Sequence, residues 1–189
     1  MSNILSYPSK AYRILARRIR RHGLKVTLIW IYGRGIPKLT GIPMLQFSEV
    51  TPQIYVGAQY GKRGKNHLIK SGITADVNLR IEFDDAKHGL DLAQYCYLPT
   101  IDDDAISMEH LQAGVKFITD VVNAGEKVYI HCAGGIGRAP TMATAYFIST
   151  GMSLDESIDL IKQTRPFIYI MPPQMERLRE FEQAYQPQP

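Results

Sequence analysis

The chain has 189 residues, 45% of them hydrophobic and 21% charged, with a formal net charge of +4. Those values exclude a disordered, collagen-like or coiled-coil chain, and the length fits one domain with room for an added segment. Two cysteines, Cys96 and Cys132, make no disulfide framework, so a reducing, cytoplasmic compartment is expected.

In chain order, Ser9 to His22 has a helical pattern. Tyr12, Leu15, Ala16 and Ile19 share one face, and Arg13, Arg17, Arg20 and Arg21 lie away from it. Lys10, Arg18 and Lys25 extend this basic cluster, and no acid occurs before Glu49. Such a helix either packs on the domain with its arginines in water or lies on an anionic membrane, which would make the protein membrane-peripheral. Nucleic acid is not an expected partner. The longest apolar run, Val26 to Tyr32, is short of the roughly 20 residues that cross a bilayer. Gly33, Gly35, Pro37, Gly41 and Pro43 punctuate a connector, which divides the chain into a basic segment over 1–46 and a body over 47–189.

In the body, Gln53 to Gly57 reads as a strand, Lys65 to Ser71 as a short helix ending at Gly72, and Thr74 to Leu79 as a second strand. Tyr95 to Leu98 is a third strand, leading into an acidic loop at Ile101-Asp102-Asp103-Asp104. Ser107 caps a helix carrying Leu111, Val115, Ile118, Val121 and Val122, closed by Gly125. Lys127 to His131 is a buried strand, Pro140 to Thr150 a helix, and Ser153 with Glu156 a capping box opening the next one. A last helix runs from about Pro173 to Ala184. Strands alternating with helices predict an α/β fold, a mainly parallel central sheet flanked by helices.

Between the buried strand and the helix stands His131-Cys132-Ala133-Gly134-Gly135-Ile136-Gly137-Arg138. A strand, a glycine-rich turn and a helix present backbone N–H groups to an anion, with the helix dipole behind them. Cys132 enters that turn first, so its sulfur shares a field that favours the thiolate, the form a cysteine nucleophile needs. Arg138 closes the turn, and its planar fork can bind two phosphoryl oxygens together. Ala133, Gly134, Gly135, Ile136 and Gly137 are the candidate phosphate-binding backbone.

With His-Cys-x5-Arg at His131, Cys132 and Arg138, the chain resembles the dual-specificity phosphatases of the protein tyrosine phosphatase superfamily. The resemblance runs from about Phe47 to Tyr185 and includes Asn78-Leu79-Arg80. It implies that family's fold, a two-step reaction through a cysteinyl-phosphate, and no metal or other cofactor. It also implies a general acid on a loop about thirty residues before the cysteine; Asp102 is favoured and Asp104 is its rival. His131 is expected to support the loop and the thiolate rather than touch substrate. Where most relatives carry Ser or Thr after the arginine, this chain has Ala139, which predicts slower breakdown of the intermediate; Thr141 is a candidate substitute hydroxyl.

Other readings compete. Asp102 and Asp104 resemble the nucleophile pair of magnesium-dependent phosphatases, but Ala105-Ile106 breaks that pattern. Sulfur-transfer enzymes and arsenate reductases also place a cysteine in such a loop, and a phosphate-binding module that has lost catalysis is a different class again. Cys96 reads as a core cysteine, with a redox partnership to Cys132 as the alternative. Phosphoprotein, on tyrosine and on serine or threonine, is the expected substrate. The neutral loop interior weighs against phosphoinositides and leaves phosphatidylglycerophosphate or phosphoglucan as alternatives.

Overall fold

The computed structural model describes residues 48–185, together with Ala16, Ile19, Arg20, Gly23, Leu24, Thr27 and Leu28, which are helical. Those seven fall in and just beyond the expected basic helix; the rest of that helix, the connector and the boundary at 46/47 lie outside the described residues.

Among the described residues, five strands form one sheet in the order β1-β2-β5-β3-β4. They are β1 (Ser48–Glu49), β2 (Ile54–Ala58), β3 (Ile73–Arg80), β4 (Gln94–Thr100) and β5 (Lys127–Cys132). β2, β5, β3 and β4 are mutually parallel and β1 is antiparallel, so the mainly parallel sheet expected from the sequence is present. β5 lies at its centre. A strand covered on both faces reads as a continuous apolar run, and Val128, Tyr129 and Ile130 are fully buried.

Alternation along the strands separates two environments. Val128, Ile130 and Cys132 of β5, with Val77 and Leu79 of β3, face the larger core. There, α2 (Met108–Asn123), α3 (Arg138–Ser149), α4 (Leu154–Thr164) and α5 (Pro172–Tyr185) cover the sheet, and α3 packs against the other three. α3 is central, and its residues from Arg138 through Ile148 are all buried. α2 can approach it closely because of Gly114, where a Cβ would fall 2.5 Å from the Met142 sulfur. On the other face, α1 (Lys62–Lys70) and the β3–β4 link cover a smaller cluster that includes Tyr60, Leu68, Leu92 and Tyr129.

The expected caps form. Ser107 Oγ accepts from His110 N–H, and Ser153 with Glu156 makes the reciprocal capping box. Two helix starts differ by more than one residue. α1 starts at Lys62 rather than Lys65, because Gly64, which reads as a breaker, is a buried position inside the helix. α3 starts at Arg138 rather than Pro140, since a proline in the first turn forfeits no intrahelical bond. The loop arginine is therefore the first residue of the central helix.

Candidate active site

β5 ends on Cys132 and α3 begins on Arg138, so residues 133–137 bridge the carboxyl end of the central strand and the amino end of the central helix. Four consecutive carbonyls of this bridge are tied outward. Gly134 O accepts from Arg165 Nη2 at 3.1 Å, Gly135 O from Arg165 Nε at 2.6 Å, and Ile136 O from Tyr169 N–H at 2.8 Å. Gly137 O accepts from Thr141, from its N–H at 3.0 Å and its hydroxyl at 2.9 Å. In a trans peptide the C=O and the following N–H point in opposite directions, so outward carbonyls turn the amides of residues 135–138 inward. One of these amides, Gly135 N–H, donates to Cys132 Sγ at 3.2 Å. Gly135 adopts φ +62°, and a Cβ there would lie 2.4 Å from Gly57 O and 2.5 Å from Arg165 Nη2. Only glycine fits this turn.

Cys132 and Arg138 are 3% and 1% exposed. Arg138 forms a two-pronged pair with Glu82, Nη1 to Oε2 and Nη2 to Oε1, both at 3.0 Å. Nη1 also donates to Thr100 O at 2.7 Å and Leu79 O at 3.1 Å. Burial alone would lower the pKa of Arg138, but the Glu82 pair and the negative charges of Cys132 and Asp102 outweigh it and raise it. Burial likewise pushes Glu82 upward, yet its hydrogen bonds with Arg138, its own backbone and Arg80 hold it at about 2. Arg138 Nε is buried without a hydrogen-bond partner among the described residues. A buried donor left unmatched is costly unless a ligand completes it.

The three aspartates of the acidic loop separate. Asp102 Oδ1 lies 3.1 Å from Arg138 Nη2, and its side chain is 52% exposed. Asp104 Oδ1 instead accepts from the next amide, Ala105 N–H, at 2.8 Å, and its carbonyl accepts from Gln174 Nε2 at 3.1 Å. Asp103 takes the strained turn position, at φ +67°. Of the two candidates for the acid, Asp102 is the one that reaches the phosphate-loop arginine.

His131, fully buried, lies across the sheet from the Cys132 side chain. Its Nε2 is 2.9 Å from Asp85 Oδ2 and 3.6 Å from Asp76 Oδ2. Burial works against its charge, but the two carboxylates prevail and hold its pKa at about 9. Asp76 is also engaged by Tyr60 OH at 3.0 Å and Leu92 N–H at 2.9 Å. Donor atoms of Asp76, Asp85 and His131 fall within 4.8 Å of one another, a grouping that could hold a metal ion. A protonated His131 supplies the cation of that trio itself.

Two alternatives raised by the sequence fall away. The Thr141 hydroxyl is spent on Gly137 O, a bond back to the carbonyl four residues earlier in its own helix, so it does not replace the hydroxyl missing at the fully buried Ala139. Cys96 lies in β4, separated from β5 by β3, which places the two strands about 10 Å apart and beyond the Cα separation of roughly 7 Å a disulfide tolerates. Burial pushes its thiol up to about 11, consistent with a core cysteine. Sequence reading missed Glu82, Asp76, Asp85, Arg165 and Gln174. Arg165 is fully buried, and burial lowers its pKa to about 10, above the neutral range. It follows the polar Lys162-Gln163-Thr164 at the end of α4, so nothing in the sequence marks it as buried.

The comparisons with known proteins agree with this geometry. Residues 54–184 match the family model described as dual specificity phosphatase, catalytic domain. Human dual specificity protein phosphatase 1 is 32% identical over 122 residues, 64% of this chain and 33% of that protein. Mouse dual specificity protein phosphatase 2 is 33% identical over 64% of this chain and 38% of its own length. The chain thus spans about a third of the curated relatives it matches. Among solved structures, PTPMT1 in complex with PI(5)P superposes with a TM-score of 0.68 at 24% identity, covering 74% of this chain and 96% of that one. Tk-PTP in its active form gives 0.66 at 26% identity, covering 73% and 97%. With its strand, loop and helix inside the matched residues, this chain belongs to the dual-specificity phosphatase catalytic-domain family.

Proposed function

We propose that the chain hydrolyses phosphomonoesters through a cysteinyl-phosphate, acting on phosphotyrosine and phosphoserine or phosphothreonine of proteins. The observation that carries this reading is the turned phosphate loop: four outward carbonyls, a buried Cys132 sulfur receiving a loop amide, and a buried Arg138 Nε with no partner among the described residues. Inward amides and that guanidinium edge offer donors to the three equatorial oxygens of a transferring phosphoryl group.

In the first step Cys132 Sγ attacks phosphorus in line. The S–P bond forms as the P–O bond to the leaving group breaks, and Asp102 delivers its proton to that oxygen. In the second step Asp102 takes a proton from water, the water oxygen bonds to phosphorus, and the S–P bond breaks to release phosphate and thiolate. Ala139 offers the departing sulfur no hydroxyl, so the second step is the slower one. No metal enters either step.

The rim supports a protein substrate. Ile81 and Ile101, neighbours in the chain of Glu82 and Asp102, are 54% and 59% exposed and offer apolar contact to a side-chain stem. Glu82, Asp102, Asp103 and Asp104 make the same rim acidic, which repels headgroups that carry several phosphates. The basic amphipathic helix and connector over 1–46 are proposed to meet an anionic membrane surface; no helix among the described residues is long and apolar enough to cross one. A cytoplasmic setting follows from the need for a reduced Cys132.

The test is a panel of phosphotyrosine and phosphoserine peptides, phosphatidylglycerophosphate, phosphoinositides and phosphoglucan, run with wild type and Cys132→Ser. Peptide turnover lost by at least about 10³-fold in the variant is expected. Turnover of a lipid or glucan with inert peptides would replace the substrate assignment. Activity that survives in Cys132→Ser would remove the mechanism.

A further inference from the structure

Six side chains link the two ends of the phosphate loop by a route outside it. At the closing end, Arg138 holds Glu82. Glu82 Oε1 also accepts from Arg80 Nε at 2.9 Å. Arg80 Nη1 donates to Gln59 Oε1 at 2.8 Å, and Gln59 Nε2 donates to Asp85 Oδ1 at 2.7 Å. The other oxygen of Asp85 meets His131 Nε2 at 2.9 Å, immediately before the nucleophile. Charges alternate along this route, with cations at Arg138, Arg80 and His131 and anions at Glu82 and Asp85. Gln59 is the one neutral link, its oxygen turned to a cation and its nitrogen to an anion, so it preserves the alternation.

The location of these links matters as much as their order. Arg80 ends β3, Gln59 follows β2, and Glu82 and Asp85 lie on the link from β3 to β4. The two strands beside β5 thus each send a residue into the same chain. Phe83 stacks beneath the Arg80 guanidinium at 5.0 Å, which fixes its plane. The hydrogen bonds from Glu82 to Asp85 run from a partly exposed end to a buried one, where a close ion pair with His131 completes the route. Linked polar contacts of this kind polarise one another, so disturbing one weakens the next.

We infer that Arg80, Gln59 and Asp85 form a clasp that couples the two ends of the phosphate loop and sets oxyanion affinity from outside it. They are positioning residues acting through Arg138 and His131, and none touches the reacting atoms. The inference rests on the reading of residues 132–138 as a phosphate site, and it assigns a function to Arg80 and Gln59 that the reaction itself does not require.

The test measures tungstate affinity by calorimetry on the full chain, which reads the loop without turnover. Gln59→Met and Glu82→Gln are made singly and together, in wild type and in Arg80→Met. Gln59, Arg80 and Glu82 all lie outside the buried core, so these chains are expected to fold, and their melting temperatures serve as the control. Gln59→Met alone is expected to weaken tungstate about fivefold. Combined with Glu82→Gln it should add little, although the two side chains meet only through Arg80. In Arg80→Met the Gln59 substitution should have no further effect, and Arg80→Lys should restore part of the affinity. Additive losses from Gln59→Met and Glu82→Gln, or unchanged affinity in Arg80→Met, would overturn the clasp. Tungstate binding with no turnover of any phosphomonoester would sink the proposed reaction and leave the clasp standing. No tungstate binding by wild type would overturn both.

Discussion

The proposed phosphate loop and the acidic loop meet at the Asp102–Arg138 pair and are built in opposite ways. The first is locked: its carbonyls are bonded outward, its arginine is 1% exposed, and Arg165, itself fully buried, braces two of its peptides. The second is open: Asp102 is half-exposed, and the contacts that hold its loop in place are the Asp102–Arg138 pair and the bond from Gln174 to Asp104 O. The difference matches the two tasks proposed for them. A cradle for a transferring phosphoryl group gains from being fixed before the substrate arrives, since no reorganisation is then needed. A proton donor must admit the substrate and then meet the leaving oxygen, which an exposed carboxyl on a lightly tethered loop can do.

The contrast is most sharply broken at Gly135. Replacing it with alanine puts a Cβ 2.4 Å from Gly57 O at a φ of +62°, where an L side chain is strained. The loop has to yield, because both neighbours are backbone or buried guanidinium. Gly135→Ala is expected to lower kcat/KM by about 10³-fold and to cost about 2–4 kcal/mol of stability. Steady-state kinetics and chemical denaturation check both. Wild-type kinetics in this variant would show that the cradle is not rigid.

The open loop predicts a smaller and more selective effect. Asp102→Asn should reduce kcat by about 10²–10³-fold on an alkyl phosphate, and far less on an aryl phosphate whose leaving group needs little protonation. Asp104→Asn should stay within about threefold of wild type on both, because its carboxyl caps its own loop. A reversal of the two variants would move the acid to Asp104.

These two regions also differ in how far the sequence discloses them. Cys132 and Arg138 are readable because a strand, a glycine turn and a helix are contiguous, and backbone physics alone gathers them. Asp102 could be narrowed only to a short acidic run, since the length of a loop does not say which carboxyl turns inward; the φ of Asp103 and the cap made by Asp104 decide that. Arg165, Glu82, Asp85 and Gln174 were not legible. Glu82 and Asp85 come from the β3–β4 link, Arg165 follows α4 and Gln174 lies in α5, and their contacts to the site exist only once these elements have packed around β5. Asp76 is a further case: in a strand it reads as an interruption of an apolar run, and its role appears only when Tyr60, Leu92 and His131 surround it.

A further contrast lies in how each region responds to pH, which separates the buried support from the exposed one. His131 titrates at about 9 in the folded chain, against an ordinary value of 6.5. A raised folded pKa means that its stabilisation is complete below pH 6.5 and is lost as pH rises through 9. The groups that face it are Asp76 from β3, Asp85 from the β3–β4 link, Tyr60 beyond β2 and Tyr129 on its own strand. Both phenols are raised above their ordinary value, chiefly by burial, so neither ionises within this window. Glu82 behaves oppositely: held at about 2, it stabilises fully above its ordinary 4.5 and is lost only as pH falls through 2. Solvent at its partly exposed carboxylate screens that contribution. Urea denaturation should therefore show stability declining by a few kcal/mol between pH 6.5 and 9. In Asp85→Asn this decline should flatten, because His131 retains only the more distant Asp76, at 3.6 Å. An equally steep decline in that variant would place the titration elsewhere and detach Asp85 from the nucleophile's strand.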